Sequence, residues 1–134
     1  MTTIGIVGCG AIGQALLKAS ETGSLTLPIS GITSRTEESA RAFLTTLSNP
    51  PKYCSQTDLI AKSDLIVEAA GAAVIPEVAY EVFQSGKDLV VISIGALVEH
   101  PEILDLARQR SCKIYAPSGA IVGLDGIKSA SAGK

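Results

Sequence analysis

Ile4-Gly5-Ile6-Val7-Gly8-Cys9-Gly10-Ala11-Ile12-Gly13, IGIVGCGAIG, is the stretch that decides the fold. A short apolar run stops at a glycine. A G-x-G-x-x-G spacing follows and opens into the amphipathic pattern of Ile12–Glu21. The run reads as a buried strand and the pattern as a helix. Gly8 permits the tight turn between them, Gly10 lets the backbone approach a pyrophosphate, and Gly13 lets the helix lie close on the strand. A phosphate would then meet free N–H groups at the positive helix end, where Ala11 and Ile12 stand. Two other readings are a tight turn with no ligand and the glycine-rich first loop of a methyltransferase sheet. The strand–turn–helix–strand context and the spacing favour a dinucleotide.

A dinucleotide fingerprint has a second part, an acidic residue about 20 residues on that binds the ribose 2′-hydroxyl. Here Gly13 is followed 21 residues later by Ser34, then by Arg35 and Thr36, and the nearest acids are Glu37 and Glu38. A hydroxyl beside a guanidinium suits a 2′-phosphate, because arginine offers a planar fork of donors. The expected cofactor is therefore NADP, with NAD tolerated. Ser34 also fits a helix cap with Glu37 as its capping-box partner, and both roles are compatible.

Further along, apolar runs alternate with helical patterns. The expected strands are Ile4–Val7, Leu27–Thr33, Lys52–Cys54, Asp64–Glu68, Asp88–Ile94 and Lys113–Ala116. The expected helices are Ile12–Glu21, Thr36–Leu47, Thr57–Lys62, Val74–Ser85 and Pro101–Arg110. Pro76 and Pro101 suit first helical turns, Gly86 a C-terminal cap, and Asn49-Pro50-Pro51 a hard break. Continuous apolar strands alternating with helices imply a parallel sheet covered on both faces. The expected fold is α/β: a Rossmann-type doubly wound sheet of strand order 3-2-1-4-5-6, in three layers, with residues 1–134 forming one domain. Its ligand edge holds small residues after the fourth and fifth strands, Ala70, Gly71 and Gly95. Glu68, at the end of the fourth strand, either caps neighbouring backbone or serves the site.

Composition narrows the partners. The chain is 46% hydrophobic, 18% charged and only 4% aromatic, with net charge −2. Disorder is excluded, and so is a nucleic-acid groove, which needs clustered cations among aromatics. The longest apolar stretch, Leu89–Val98, is ten residues, too short for a membrane span, and the N-terminus carries no secretory leader pattern. Cys9, Cys54 and Cys112 fit no metal spacing and read as free thiols in a reducing cytoplasm.

GCGAIG, VEAAG, GKDLVVISIGAL and YAPSGAIVGLDGIKSA, in this order and at these separations, resemble the N-terminal half of the L-aspartate dehydrogenase family. The first motif is generic to dinucleotide folds; the last is much more specific. The resemblance covers the whole chain and implies NAD(P)-dependent oxidation of L-aspartate to iminoaspartate. That product hydrolyses to oxaloacetate and ammonia or feeds nicotinamide nucleotide synthesis. It also implies that Ala120 touches the cofactor. Val122 departs from the family, which usually has a small residue there. Family members are two-domain proteins about twice this length, and their catalytic histidine and aspartate-binding groups lie in the second half. His100, the one histidine, matches no catalytic position, so no catalytic residue and no metal ligand is expected. The chain alone is expected to bind the dinucleotide without turning over aspartate. Ile127 and Ala130, with nothing in the sequence to cover them, point to an exposed apolar patch or self-association as a homodimer, and a second chain supplying the substrate domain is the other partner expected. A non-enzymatic NAD(P)-binding module and the cofactor domain of a related imine or semialdehyde reductase are the alternatives.

Overall fold

Ile4 and Ile6 pack on one side of the first strand and Val7 on the other, and the strands around Ile66, Val90 and Ile114 split their residues the same way. This two-residue alternation, with both faces apolar, makes the sheet the middle layer of three. The computed structural model describes residues 2–117. Its elements are β1 (Ile4–Val7), α1 (Ala11–Thr22), β2 (Ile29–Thr33), α2 (Glu37–Leu44), α3 (Gln56–Lys62), β3 (Leu65–Glu68), a 3₁₀ turn (Ala72–Val74), α4 (Ile75–Gln84), β4 (Asp88–Val91), α5 (Gly95–Glu99), α6 (Glu102–Gln109) and β5 (Ile114–Tyr115).

The five strands are parallel and ordered β2-β1-β3-β4-β5. Leu16 and Leu17 of α1 and Leu44 of α2 join Ile4, Ile6, Ile32, Leu65, Val67 and Val90 on one face. Residues of α3, α4, α5 and α6 cover Val7, Ile66, Leu89 and Val91 on the other, centred on the fully buried Phe83. The doubly wound three-layer architecture expected from the sequence is the one observed.

The strand order needs one correction. The expected third strand, Lys52–Cys54, is reduced to a single parallel bridge between Tyr53 and Ile32 at the outer edge of β2. Ile32 donates to the Lys52 carbonyl and Cys54 donates to the Ile32 carbonyl, both at 3.0 Å. Pro50 and Pro51 have no N–H to extend this pairing, and Ser55 already caps α3. There is room for one paired residue. Counted as a strand, it would take the expected outer place beside β2.

Other ends shift for local reasons. Helix α4 has Pro76 in its first turn and Gly86 at φ +73° just beyond it, with Gly86 donating to the Phe83 carbonyl (3.0 Å) and Lys87 to the Val82 carbonyl (3.0 Å). That is the glycine-terminated cap the sequence suggested. Strand β4 stops at Val91, short of the expected Ile94, and α5 follows unanticipated. Ser34 caps no helix: the N-cap of α2 is Thr36, while Glu37 pairs with Arg41 instead of closing a capping box. Ala120, Val122, Ile127 and Ala130 lie outside the described residues.

Candidate functional site

The carboxyl ends of β1, β2 and β3 open onto a cleft of about 410 Å³. Its floor is the glycine turn. Gly8 sits at φ +112°, where an added Cβ would come within 2.5 Å of the Ala69 carbonyl oxygen. Gly13 is buried, and a Cβ there would collide with the Gly8 carbonyl. Gly10 differs. It is the N-cap of α1, extended at φ −84° and ψ −156°, and its Cβ would meet no heavy atom within 4 Å. Two glycines are therefore demanded by packing, and the third leaves open space on the cleft side.

No side chain caps α1. The first intrahelical bond is Gln14 N–H to the Gly10 carbonyl (2.9 Å), so the N–H groups of Ala11, Ile12 and Gly13 have no acceptor among the described residues. The Gln14 side chain turns back to the Cys9 carbonyl at 3.1 Å and steadies the loop. Donors of this kind at a positive helix end can receive an anion. Cys9 also lines the cleft, and burial pushes its thiol above the ordinary value.

On the β2 side, Thr33, Ser34, Arg35, Thr36 and Ser39 form the wall. Arg35 is exposed and makes no ion pair among the described residues. Arg41, one helical turn further on, is already engaged: it pairs with Glu37 at 2.6 Å and lies 4.9 Å from the centre of the Tyr53 ring. Arg35 is therefore the cation that the cleft presents. Ser34 accepts from Thr36 N–H at 3.3 Å through its hydroxyl. Tyr53 fixes its main chain: the phenol accepts from Ser34 N–H at 3.2 Å and donates to the Ser34 carbonyl at 2.5 Å. Tyr53 braces this wall from outside the cleft, a support that sequence reasoning missed. It stood in a weak strand, and its one signal was an aromatic placed two residues beyond Pro-Pro in a chain with few aromatics.

The opposite wall is Ala69, Ala70, Val74, Gln56 and Glu77. Gln56 also escaped the sequence; its amide donates to Glu81 at 2.8 Å. Of the expected residues, Gly8, Gly10, Ser34, Arg35 and Ala70 line one cleft. Ala11, Ile12 and Gly13 follow at the start of α1. Gly71 and Gly95 stand apart, on the exposed surface beyond β3 and β4. Between them lies Glu68, fully buried, capping backbone as one of its two sequence readings expected. His100 pairs with Glu102 at 3.3 Å and does not border the cleft. No cluster of metal-ligating side chains occurs among the described residues. Cys9, Cys54 and Cys112 are free, and no described helix is long and apolar enough to cross a membrane.

Residues 8–117 match the family model described as "Homoserine dehydrogenase, NAD binding domain". The chain is 39% identical over 136 residues to an L-aspartate dehydrogenase of Methanococcoides burtonii, covering 98% of this chain and 50% of that protein. It is 41% identical over 137 residues to the L-aspartate dehydrogenase of Methanocaldococcus jannaschii, covering 96% of this chain and 50% of that one. It thus spans about half the length of the curated relatives it matches. Among solved structures, the WlbA dehydrogenase from Bordetella pertussis, in complex with NADH and UDP-GlcNAcA, superimposes with a TM-score of 0.71. The identity is 20%, over 86% of this chain and 36% of that one. At that identity the likeness is one of fold.

Proposed function

Because the chain belongs to the homoserine dehydrogenase NAD-binding domain family, we propose that its cleft holds a nicotinamide dinucleotide and that it serves an enzyme oxidising L-aspartate. The observation that carries the reading is the start of α1, where three N–H donors have no acceptor among the described residues and a Cβ on the adjoining Gly10 would meet nothing within 4 Å. That arrangement fits a pyrophosphate, and the 410 Å³ cleft beside it is of ligand size. When bound, the dinucleotide supplies hydride transfer. The chain's residues bind and orient it: the Gly8–Gly13 turn at the phosphates, and Ser34 and Arg35 at the adenosine ribose. Ala70, Gly71, Gly95 and Ala120 would form a small-residue platform toward the nicotinamide.

Arg35, exposed and without an ion pair among the described residues, favours NADP over NAD, since a 2′-phosphate gives its guanidinium a charged acceptor. The aspartate substrate is the finer part of the reading, supported by the identity to L-aspartate dehydrogenases. The cleft has no histidine and one cation among the described residues. Proton transfer and the binding of two substrate carboxylates are therefore assigned to protein outside this domain, on this or another chain. General acid–base help typically supplies about 10²–10⁴-fold in rate, and substrate positioning can supply more.

The test is to titrate the 134-residue chain with NADPH and NADH by fluorescence, then to assay aspartate oxidation at alkaline pH. Saturable binding with no turnover is expected. Turnover by this chain would place catalytic groups within it, and failure to bind either dinucleotide would end the reading.

A further inference from the structure

Val7, Glu68 and Val91 stand side by side in register at the carboxyl ends of β1, β3 and β4. Both valines are buried core residues, and so apolar packing alone would place a third apolar residue between them. Instead the middle position is a carboxylate with 0% of its surface exposed. Burying such a group is costly unless hydrogen bonds replace its water.

We propose that Glu68 is a positioning residue for the nicotinamide end of the dinucleotide, locking the loops after β3 and β4 into one platform beside the cleft. The proposal rests on the dinucleotide reading above. The carboxylate accepts five hydrogen bonds, all from these two loops. Oε2 takes Ala70 N–H (2.9 Å), Gly71 N–H (2.8 Å) and the Ser93 hydroxyl (2.9 Å). Oε1 takes Ile92 N–H (3.1 Å) and Ser93 N–H (2.9 Å). Four of these donors are backbone groups, so the carboxylate sets main-chain geometry directly. Ile92 also donates to the Glu68 carbonyl at 3.2 Å, and beyond it the ladder ends and the chain turns into α5.

What the carboxylate holds is a surface without bulk. Ala70, Gly71 and Gly95 are all exposed, and a Cβ on Gly71 or Gly95 would meet nothing within 4 Å. In a doubly wound sheet the dinucleotide straddles the point where strand order reverses. With its adenosine end at Ser34 and Arg35 beyond β2, its other end crosses β1 toward β3 and β4. The adenosine wall is organised separately, by Tyr53 on Ser34, and shares no hydrogen bond with Glu68. Loss of the carboxylate therefore weakens one half of the ligand's grip and spares the other.

Two probes separate the halves: NADPH, and 2′,5′-ADP, which carries only the adenosine end. Glu68→Gln keeps the shape but turns an NH₂ toward at least two N–H or O–H donors. For this variant, NADPH affinity is expected to fall about tenfold or more while 2′,5′-ADP affinity stays within about twofold. Ser93→Ala removes one of the five bonds and leaves the carboxylate, so a smaller fall of about threefold for NADPH alone is expected. Equal losses for both probes, or no loss for NADPH, would overturn the proposal. If Glu68→Gln does not fold, Ser93→Ala decides by the same split. Should the unaltered chain bind both probes and neither variant divide them, only the positioning role fails. If the unaltered chain binds neither, the dinucleotide reading fails and this inference goes with it.

Discussion

A methyl group added at Gly10 would meet no heavy atom within 4 Å, whereas one at Gly13 would strike the Gly8 carbonyl. The two glycines of one motif therefore fail differently. Gly10→Ala should keep the fold, with stability lowered by less than about 1 kcal/mol, and lose at least about tenfold in dinucleotide affinity because its Cβ occupies the phosphate approach. Gly13→Ala should lose about 1–3 kcal/mol of stability, since a backbone oxygen can yield only by shifting the turn. Chemical denaturation and a binding titration on both variants check the contrast; similar profiles would contradict it. Arg35 calls for a different readout. Arg35→Ala should weaken NADPH by about 1–3 kcal/mol and leave NADH nearly unchanged. Equal losses would show that Arg35 does not read the 2′-phosphate. The glycine turn was legible from spacing, because a tight strand–turn–helix junction dictates which of its positions must lack a side chain.

At the scale of elements, the parts hardest to read were those decided by distant partners. The single bridge at Tyr53 depends on Ile32 across the sheet edge, and the early end of β4 reflects Ile92 and Ser93 donating to a carboxylate on β3. Neither partner is near in sequence, so no local pattern announced them. Strands β1 and β3 and helix α1 were legible because apolar periodicity, a local property, fixed them. Tyr53→Phe tests what the bridge positions: losing the phenol that serves both Ser34 main-chain groups should cost about 1–2 kcal/mol and weaken NADPH more than NADH. Unchanged stability would remove Tyr53 from the site's support.

Two loop ties make stability depend on acid. Glu21 accepts from Asn49 N–H (2.8 Å) and Ser48 N–H (3.1 Å), and these bonds, the Asn49 bond first, hold its carboxyl below the usual value. Asp64 is likewise lowered, chiefly by Thr3 N–H at 2.8 Å and then by the Thr3 hydroxyl at 3.2 Å. Each group's folded pKa is depressed, so the unfolded chain takes up the proton first. The stabilisation is present above the unfolded value of about 4 and is lost as pH falls through the lower folded value. Urea unfolding across the acid range should show a decline that becomes shallower in the Glu21→Gln, Asp64→Asn double variant. An unchanged slope would dismiss both ties.

For the whole molecule, the sheet's two apolar faces and its parallel order place the starts of α1, α2 and α4 along one edge, and the cleft follows from that placement. The architecture was legible because strand–helix alternation with short connections leaves few alternatives. The separate bracing of the edge, by Tyr53 on the β2 side and by Glu68 beyond β3 and β4, was not, since it rests on hydrogen bonds between separate loops. The central claim is that the edge grips a dinucleotide by its phosphates at the start of α1. The most direct measurement is amide NMR of the 134-residue chain during NADPH addition. The account predicts that the N–H signals of Ala11, Ile12 and Gly13 move together, to saturation, with those of Ser34 and Arg35. Saturable binding that leaves those three amides unmoved would contradict it.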